Sequence, residues 1–302
     1  CKKEALMFQI AAFDFGEGPV VGLRNGDNYY NSASFTSMRQ ILDSWELALE
    51  KLSTASQRMS ERQPLTNVKL LAPLADPKNI YFAGANYHDH VAEMSRVLNM
   101  KLPDQSTQGV EPWFLLKSAS SVVGHGAAVR KPKGVERLDW EVELAVIIGK
   151  TGRDISEKEA LNHVAGYTVA NDLSARDKMA RGYEDLSSPF KWDWLKHKSF
   201  DGACPMGPAI TPAIHVKNVQ NLNMKLWVND VLMQDSNTSQ MIFGVAELIS
   251  KLSHEVTLHP GDVILTGTPA GVGTAKGQFL KAGDRIKQSI EMIGDFEFTI
   301  VE

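Results

Sequence analysis

Residues 138–149 read Leu-Asp-Trp-Glu-Val-Glu-Leu-Ala-Val-Ile-Ile-Gly, an apolar run that two carboxylates, Glu141 and Glu143, interrupt. The apolar part, residues 144–148, is typical of a strand that is buried on both faces. Side chains alternate between the faces of a strand, so both glutamates would point to the same side. A buried carboxylate needs a cation or basic neighbours to compensate its charge. The stretch therefore predicts either an acidic site or an exposed edge strand whose glutamates lie in water.

A third acid, Asp172, follows the apolar segment 163–170 and would lie where that strand ends. Three oxygen ligands select a hard cation, Mg²⁺ or Mn²⁺ with Ca²⁺ as a further candidate, and leave positions open for water or substrate. Asp172 would complete such a site with Glu141 and Glu143. Aspartate is also a common helix cap, so the sequence leaves open that Asp172 simply caps a following helix.

The composition indicates a globular protein that acts on a small molecule. The chain has 302 residues, 43% of them hydrophobic, which is enough for one large domain or a large and a small one. Its formal charge of -4 disfavours a general nucleic-acid binder. Its two cysteines, Cys1 and Cys204, are compatible with a reducing cytoplasm, and no apolar run approaches the ~20 residues of a membrane-spanning helix. We therefore expect a cytoplasmic protein without nucleic-acid or membrane partners.

The chain divides into two parts. Residues 7–35 alternate apolar stretches with glycines, which predicts two or three short strands, and residues 37–59 have helical spacing. The polar segment 60–66 contains Pro64 and reads as a linker. We therefore predict a small N-terminal α/β lobe over residues 1–69 and a main domain over residues 70–302.

The main domain consists mostly of short strands punctuated by glycine and proline, which is typical of a β-rich α+β fold. Helices are predicted at a few places in it, namely residues 89–100, 157–163, 175–183 and 239–250.

His90 and Glu93 lie three residues apart in the helix predicted at residues 89–100, so they would share one face. Glu93 would then orient or polarise His90, which would act as a general base. His88 is the rival base but lies off that face. The alternative is an ordinary pair of surface residues.

Two further segments carry candidate substrate contacts. Lys198, in the polar cluster 196–201, would hold an anionic substrate or stabilise an enolate oxygen, unless the cluster is a solvated loop. The glycine-rich loop 266–277 brings Gly267 and Thr268, whose N–H and hydroxyl groups would cradle a carboxylate, unless the loop is a plain turn. The loop lacks the Lys-Ser/Thr ending of a phosphate-binding loop, so nucleotide binding is disfavoured.

Taken in order, these stretches resemble the fumarylacetoacetate hydrolase family over most of residues 70–302. The matching motifs are Asn86-Tyr87 with Asp89-His90 and Glu93, Trp140-Glu-Val-Glu-Leu144, Asn171-Asp-Leu-Ser-Ala-Arg-Asp177, Lys198-Ser-Phe-Asp201 with Cys204-Pro-Met-Gly207, and Gly261-Asp262 with Thr266-Gly-Thr-Pro-Ala-Gly-Val-Gly273. The resemblance implies a mixed β-roll catalytic domain, a Mg²⁺ or Mn²⁺ ion, a homodimer, and usually cleavage of a C–C bond in a β-diketo acid.

The resemblance also assigns roles to individual residues. It implies metal ligands at Glu141, Glu143 and Asp172, a water-activating pair at His90 and Glu93, an active-site lysine at Lys198, and a substrate contact at Thr268. Members of the family often have a glutamine seven residues after the metal aspartate, where this chain has Met179. That departure leaves the substrate and the reaction open. The nearby aromatic residues would either line a pocket or pack, and they are Tyr183, Phe190, Trp192 and Trp194.

The predicted reaction is the metal-dependent hydrolysis of a 2,4-diketo acid of the acylpyruvate type. His90 would take a proton from water, and the ion with Lys198 would hold the charge of a pyruvate enolate. Oxaloacetate decarboxylation, or isomerisation of an unsaturated diacid, would use the same enolate. A metal-dependent ketoacid-binding protein without chemistry is the alternative outside the enzymes. In each case the expected partner is a small anionic ketoacid.

Overall fold

The computed structural model describes most of the chain, residues 7–32, 34–99, 109–182, 185 and 187–302. Strands dominate this part, as predicted for a β-rich α+β protein. In chain order they are β1 (Gln9–Asp14), β2 (Pro19–Asn25), β3 (Asn28–Asn31), β4 (Lys69–Leu70), β5 (Ile80–Gly84), β6 (Trp113–Lys117), β7 (Val122–Val123), β8 (Ala128–Arg130), β9 (Leu138–Asp139), β10 (Val142–Ile148), β11 (Val164–Asn171), β12 (Ser174–Ala175), β13 (Cys204–Pro212), β14 (Asn223–Val228), β15 (Val231–Asn237), β16 (Val263–Leu265), β17 (Arg285–Ile290) and β18 (Gly294–Val301).

The helices are fewer and mostly short. They are α1 (Met38–Asp43), α2 (Trp45–Ser56), α3 (His88–Leu98), α4 (Glu157–Ala160), α5 (Trp194–Lys198), α6 (Val245–Glu255) and α7 (Gly273–Lys276). The helix predicted at residues 37–59 forms as α1 and α2, with a break at Ser44. The helix predicted at residues 89–100 forms as α3, although Met100 lies outside the described residues. In the described part of the chain no helix is long and apolar enough to cross a membrane.

Two helix predictions need correction. The helix predicted at residues 175–183 is wrong for the described residues 175–182, because Ala175 pairs with Leu138 in a two-stranded sheet and is followed by a 3₁₀ turn at Arg176–Lys178. Tyr183 lies outside the described residues. The helix predicted at residues 239–250 begins later, at Val245. Its expected first residues belong to a separate 3₁₀ turn, Thr238–Gln240, and in the segment between this turn and α6 Asn86 accepts a hydrogen bond from the backbone N–H of Phe243. In both segments a contact with a distant part of the chain overrides the local pattern.

One long sheet runs through the described structure. Its strands follow in the order β3-β2-β1-β13-β11-β10-β16-β5-β6, with β4 beside β1 and β7 beside β13. The strands of the predicted N-terminal lobe therefore continue the sheet of the main domain, with Ile10 opposite Ile210 where β1 meets β13. The domain boundary at residue 69 stays a prediction.

Strand β10 lies inside this sheet, between β11 and β16, and all seven of its residues are buried. Alternate side chains of β10 point to opposite faces of the sheet and enter two different hydrophobic clusters. Leu144 and Val146 pack against a second sheet, ordered β15-β14-β17-β18-β8, whereas Ala145 and Ile147 pack toward the N-terminal strands and helices. Glu143 lies two residues before Ala145, so its side chain points to the same face of the sheet. The acidic residues are therefore on the face that the N-terminal elements cover.

Candidate metal centre and active site

The pairing of β10 with β11 brings the three predicted metal ligands together. The strands are antiparallel, with Val142 opposite Asn171, and the backbone N–H of Asp172 donates to the carbonyl of Glu141 (2.9 Å). One carboxylate oxygen from each of Glu141, Glu143 and Asp172 lies within 4.8 Å of the others. The three residues are only 6%, 1% and 1% exposed, respectively. The alternative of an exposed edge strand is therefore wrong, and so is a helix-capping role for Asp172, since no α-helix follows it directly.

Basic side chains compensate two of the three acids. Glu141 accepts hydrogen bonds from Arg176 Nη2 (2.5 Å) and Lys198 Nζ (2.7 Å). Asp172 pairs with Lys198 Nζ (2.6 Å) and Lys117 Nζ (2.6 Å). Burial alone would raise the pKa of Asp172, but the charges of Lys117 and Lys198 outweigh burial and hold it at about 2. Asp172 is therefore ionised at neutral pH.

Glu143 differs because none of the basic side chains that the structure describes pairs with it. Its Oε2 accepts only the backbone N–H of Gly267 (2.7 Å) among the described hydrogen bonds. Burial raises the pKa of Glu143, and the charges of Asp172 and Glu141 raise it further, well above its usual range. A divalent cation beside this carboxylate would favour its ionised form. Three buried oxygen donors with one uncompensated acid thus fit a hard cation such as Mg²⁺, Mn²⁺ or Ca²⁺.

Two basic residues of this centre were missed by the sequence analysis. Arg176 lies only four residues after Asp172, and its Nε also bonds Asp139 (2.9 Å), so the short spacing could have pointed to it. Lys117 lies at the end of the edge strand β6, and its Nζ also donates to the carbonyl of Ala203 (2.9 Å). No local spacing relates Lys117 to the acids, so the sequence carried no signal for it.

Replacing Lys117 by methionine should destabilise the protein. Its side chain is fully buried against Asp172, and removing one partner of a buried ion pair typically costs about 3–5 kcal/mol of unfolding free energy. Chemical denaturation in the presence of a chelator would measure the change, with the exposed Lys133→Met as the matched control. Equal stability of the two variants would show that Lys117 is not an essential partner of Asp172.

His90 reaches the centre from the first turn of α3, which two side chains anchor. Asn86 donates to the carbonyls of Phe243 (3.0 Å) and Thr266 (2.9 Å) just before the helix. Asp89 accepts from Ser236 Oγ (2.5 Å) on β15. Together these bonds tie the start of α3 to the glycine-rich loop and to the second sheet.

The electrostatic surroundings keep the imidazole of His90 neutral. Burial lowers its pKa, the charge of Glu141 opposes burial, and Arg176 lowers the pKa further, so the result lies below the usual value. Nδ1 of His90 is buried without a hydrogen-bond partner among the described residues. Glu93 is near enough for its charge to act on His90, but its Oε2 accepts the backbone N–H of Gly271 (2.9 Å). The polarising role of Glu93 stays a prediction.

The glycine-rich loop supports the acids from the other side. Gly267 has φ +90°, and a Cβ there would lie 2.9 Å from the Cβ of Asn86, so the position favours glycine. Its N–H holds Glu143, as described above. The Thr268 hydroxyl donates to the carbonyl of Val142 (2.9 Å) and accepts from Gln234 (2.9 Å). Both residues are therefore engaged within the protein, and their contact with substrate stays a prediction.

A cavity of about 390 Å³ opens over these groups, within the size range of small-molecule sites. Its polar wall contains most of the residues predicted for the site: His90, Glu141, Glu143, Asp172, Lys198 and Thr268. Lys198 is buried at the end of α5, so the alternative of a solvated loop is wrong for it. Glu93 and Gly267 are not among the residues that line the cavity.

The rest of the cavity lining includes several aromatic residues. Trp194 contacts Trp113 edge-on, with ring centroids 5.2 Å apart, and stacks with Trp192 at 6.1 Å. Met179, at the position where the family often has glutamine, also lines the cavity. Of the four aromatic residues singled out in the sequence, Trp192 and Trp194 thus line the pocket, Phe190 is exposed, and Tyr183 lies outside the described residues.

The chain is similar to known proteins in sequence and, among solved structures, in fold. The sequence model of the family described as "Fumarylacetoacetate (FAA) hydrolase C-terminal" matches residues 79–301. The mitochondrial oxaloacetate tautomerase of Xenopus laevis is 38% identical over 98% of this chain and 91% of its own length. The predicted cytoplasmic location is not tested by that similarity and stays a prediction.

Two solved structures extend the comparison. A fumarylacetoacetate hydrolase of Exiguobacterium antarcticum is 29% identical with a TM-score of 0.78, and covers 97% of this chain and 99% of its own. A maleylpyruvate hydrolase of Sphingobium sp. SYK-6, in complex with manganese(II) and pyruvate, is 30% identical with a TM-score of 0.74. The match covers 97% of this chain and 98% of the hydrolase chain. Proteins with this fold therefore include one that was solved with a divalent cation and a 2-oxo acid.

Proposed function

The chain belongs to the fumarylacetoacetate hydrolase family, and from that premise we propose that it interconverts the keto and enol forms of oxaloacetate with a divalent cation. The observation that carries the proposal is a three-carboxylate centre and a neutral histidine, His90, on the wall of one cavity. The similar protein of Xenopus laevis is named for this activity. Tautomerisation moves a proton and breaks no carbon–carbon bond, so it needs no activated water.

In this mechanism His90 is the base. Its neutral imidazole accepts a proton from C3 of oxaloacetate, the carbon between the keto group and the second carboxylate. The released electron pair moves onto the 2-oxygen, which takes up a proton from solvent to give the enol, while His90 returns the C3 proton to solvent. Lys198, whose pKa burial would lower but Asp172 and Glu141 raise, stays protonated and supplies positive charge near that oxygen. A cation held by Glu141, Glu143 and Asp172 would polarise the keto oxygen as a Lewis acid.

The test starts from the enol form of oxaloacetate, which is diluted from an aprotic solvent into buffer. We expect the ultraviolet absorbance of the enol to decay faster with protein and Mg²⁺ or Mn²⁺ than with the same ion alone. A chelator should remove the difference. A decay that matches the protein-free control at every ion concentration would contradict the proposed activity.

Hydrolysis of a 2,4-diketo acid, the reaction predicted from the sequence, is the second candidate. It is favoured by the position of His90 on the cavity wall and by the similarity to maleylpyruvate hydrolase. It requires activated water, for which Glu93, whose Oε2 accepts the backbone N–H of Gly271, would have to polarise His90. Acetylpyruvate is the discriminating substrate, since its hydrolysis releases acetate and pyruvate. Release of pyruvate and CO₂ from oxaloacetate would instead indicate decarboxylation.

A further inference from the structure

His197 is a buried histidine in the wall of the same cavity, and neither the metal centre nor the proposed proton transfer uses it. It is 1% exposed, and neither of its ring nitrogens has a hydrogen-bond partner among the described residues. A buried polar group without a partner is destabilising, because it has lost its hydrogen bonds to water without replacing them. Because the ring lines the cavity, a molecule bound there is the partner that would satisfy it.

The surroundings of His197 define what kind of group it can bind. Burial lowers its pKa, and the charges of Lys198 and Arg176 lower it further, to about 2, so the ring is neutral. A neutral imidazole offers one N–H donor. The charges of Asp172, which is negative, and Lys117, which is positive, also act on the ring. An N–H donor beside cationic groups such as Lys198 and Arg176 favours an anionic acceptor.

An aromatic residue of the cavity lining packs against the ring. Trp194, at the start of α5, lies over the imidazole with centroids 5.5 Å apart and ring planes inclined by 39°. Lys198, the next residue along the helix, bonds Glu141 and Asp172. The same short helix thus places one residue at the carboxylate centre and its neighbour at another part of the cavity wall.

We propose that His197 determines specificity by donating a hydrogen bond to the distal carboxylate of a 2-oxo dicarboxylate bound through its 2-oxo acid end at the three-carboxylate centre. This inference rests on the proposed function, which places that end of the substrate there. His197 is a substrate-positioning residue and takes no part in the proton transfer. A 2-oxo acid of the same length without the second carboxylate would leave His197 unpaired.

Binding of two ligands to the Mg²⁺-loaded protein tests the inference. Oxaloacetate and 2-oxobutanoate both have four-carbon chains, but only oxaloacetate has the distal carboxylate. We expect the wild type to prefer oxaloacetate, and His197→Phe to lose roughly 10- to 100-fold of that preference, the range for a hydrogen bond to a charged group. The affinity of the variant for 2-oxobutanoate should stay within about 3-fold of wild type. His197→Gln, which keeps a donor, should recover part of the preference, and the exposed His259→Phe is the matched control.

Equal losses for both ligands, or an unchanged ratio, would overturn the inference. So would a wild type without a preference for the dicarboxylate, even if it tautomerises oxaloacetate. A clear preference that depends on His197, in a protein that does not accelerate enol decay, would leave the inference standing and refute the proposed function alone.

A measurement on the wild type removes the dependence on variants that fold. The ring nitrogens of His197 can be followed by ¹⁵N NMR with Mg²⁺ present. We expect their resonances to move when oxaloacetate is added and to stay in place with 2-oxobutanoate. Resonances that respond to both ligands alike, or to neither, would overturn the inference.

Discussion

Glu143→Gln should remove most of the metal-dependent stabilisation and activity while leaving the metal-free protein at least as stable as the wild type. Glutamine has nearly the same shape and keeps an oxygen that can accept the N–H of Gly267. It removes a buried acid whose ionised form is disfavoured by burial and by the charges of Asp172 and Glu141, and with which none of the described basic side chains pairs. Without a cation the substitution therefore removes a group whose ionisation destabilises the protein, and with a cation it removes a ligand.

The loss of the Glu143 carboxylate should change both the stabilisation by the cation and the catalytic rate. A cation at 100 times its Kd stabilises the wild type by about 2.7 kcal/mol, and a 100-fold weaker site would leave only about 0.4 kcal/mol at that concentration. Loss of several kcal/mol of Lewis-acid stabilisation corresponds to a drop in kcat/KM of roughly 10³-fold or more. Thermal unfolding with and without Mn²⁺, together with the enol-decay assay, would measure both.

Two comparisons make this prediction specific. Asp172→Asn also removes a metal ligand, but it should destabilise the metal-free protein because Lys117 and Lys198 lose a buried partner. Glu255→Gln, at the exposed end of α6, controls for the change of charge and should change nothing. A Glu143→Gln protein that retains full stabilisation by Mn²⁺ would show that the ion does not bind at this centre.

The features that could be predicted from the sequence are those set by local patterns. The two-residue alternation in the strand after Trp140 placed Glu141 and Glu143 on one face, and the pairing of neighbouring strands then brought Asp172 to them. The long apolar run of residues 144–148 correctly indicated burial on both faces. The strand-rich fold followed from the short segments between glycines and prolines.

The features that could not be predicted depend on contacts between distant parts of the chain. Lys117 is 55 positions from Asp172, and it reaches that carboxylate from β6, which pairs with β5. The helix expected at residues 175–183 has favourable local spacing, but Arg176 is drawn toward Asp139 and Glu141 instead. His197 stood in a polar cluster with no sign that it would be buried. In each case tertiary interactions outweigh local propensity.

His90→Ala should lower the tautomerisation rate by about 10²- to 10⁴-fold, the usual contribution of a general base, and leave metal binding nearly unchanged. His90 makes none of the described ion pairs with the acids, so its removal does not disturb Glu141 or Asp172 directly. His88→Ala is the matched control, since His88 lies on the same helix but is exposed. A comparable loss in the control variant would indicate damage to α3 and would remove the support for His90 as the base.

The pH dependence gives an independent check on the same role. Burial lowers the pKa of His90, and Arg176 adds to this effect against the opposing charge of Glu141. The base is active when it is neutral, so the rate should fall as the pH drops through a value below 6.5, the usual pKa of histidine. Exchange of the C3 protons of oxaloacetate into D₂O, followed by NMR, should show the same acid limb in the wild type and lose it in His90→Ala. Persistence of that limb in the variant would assign the titration to another group, and His90 would then no longer be the proton acceptor.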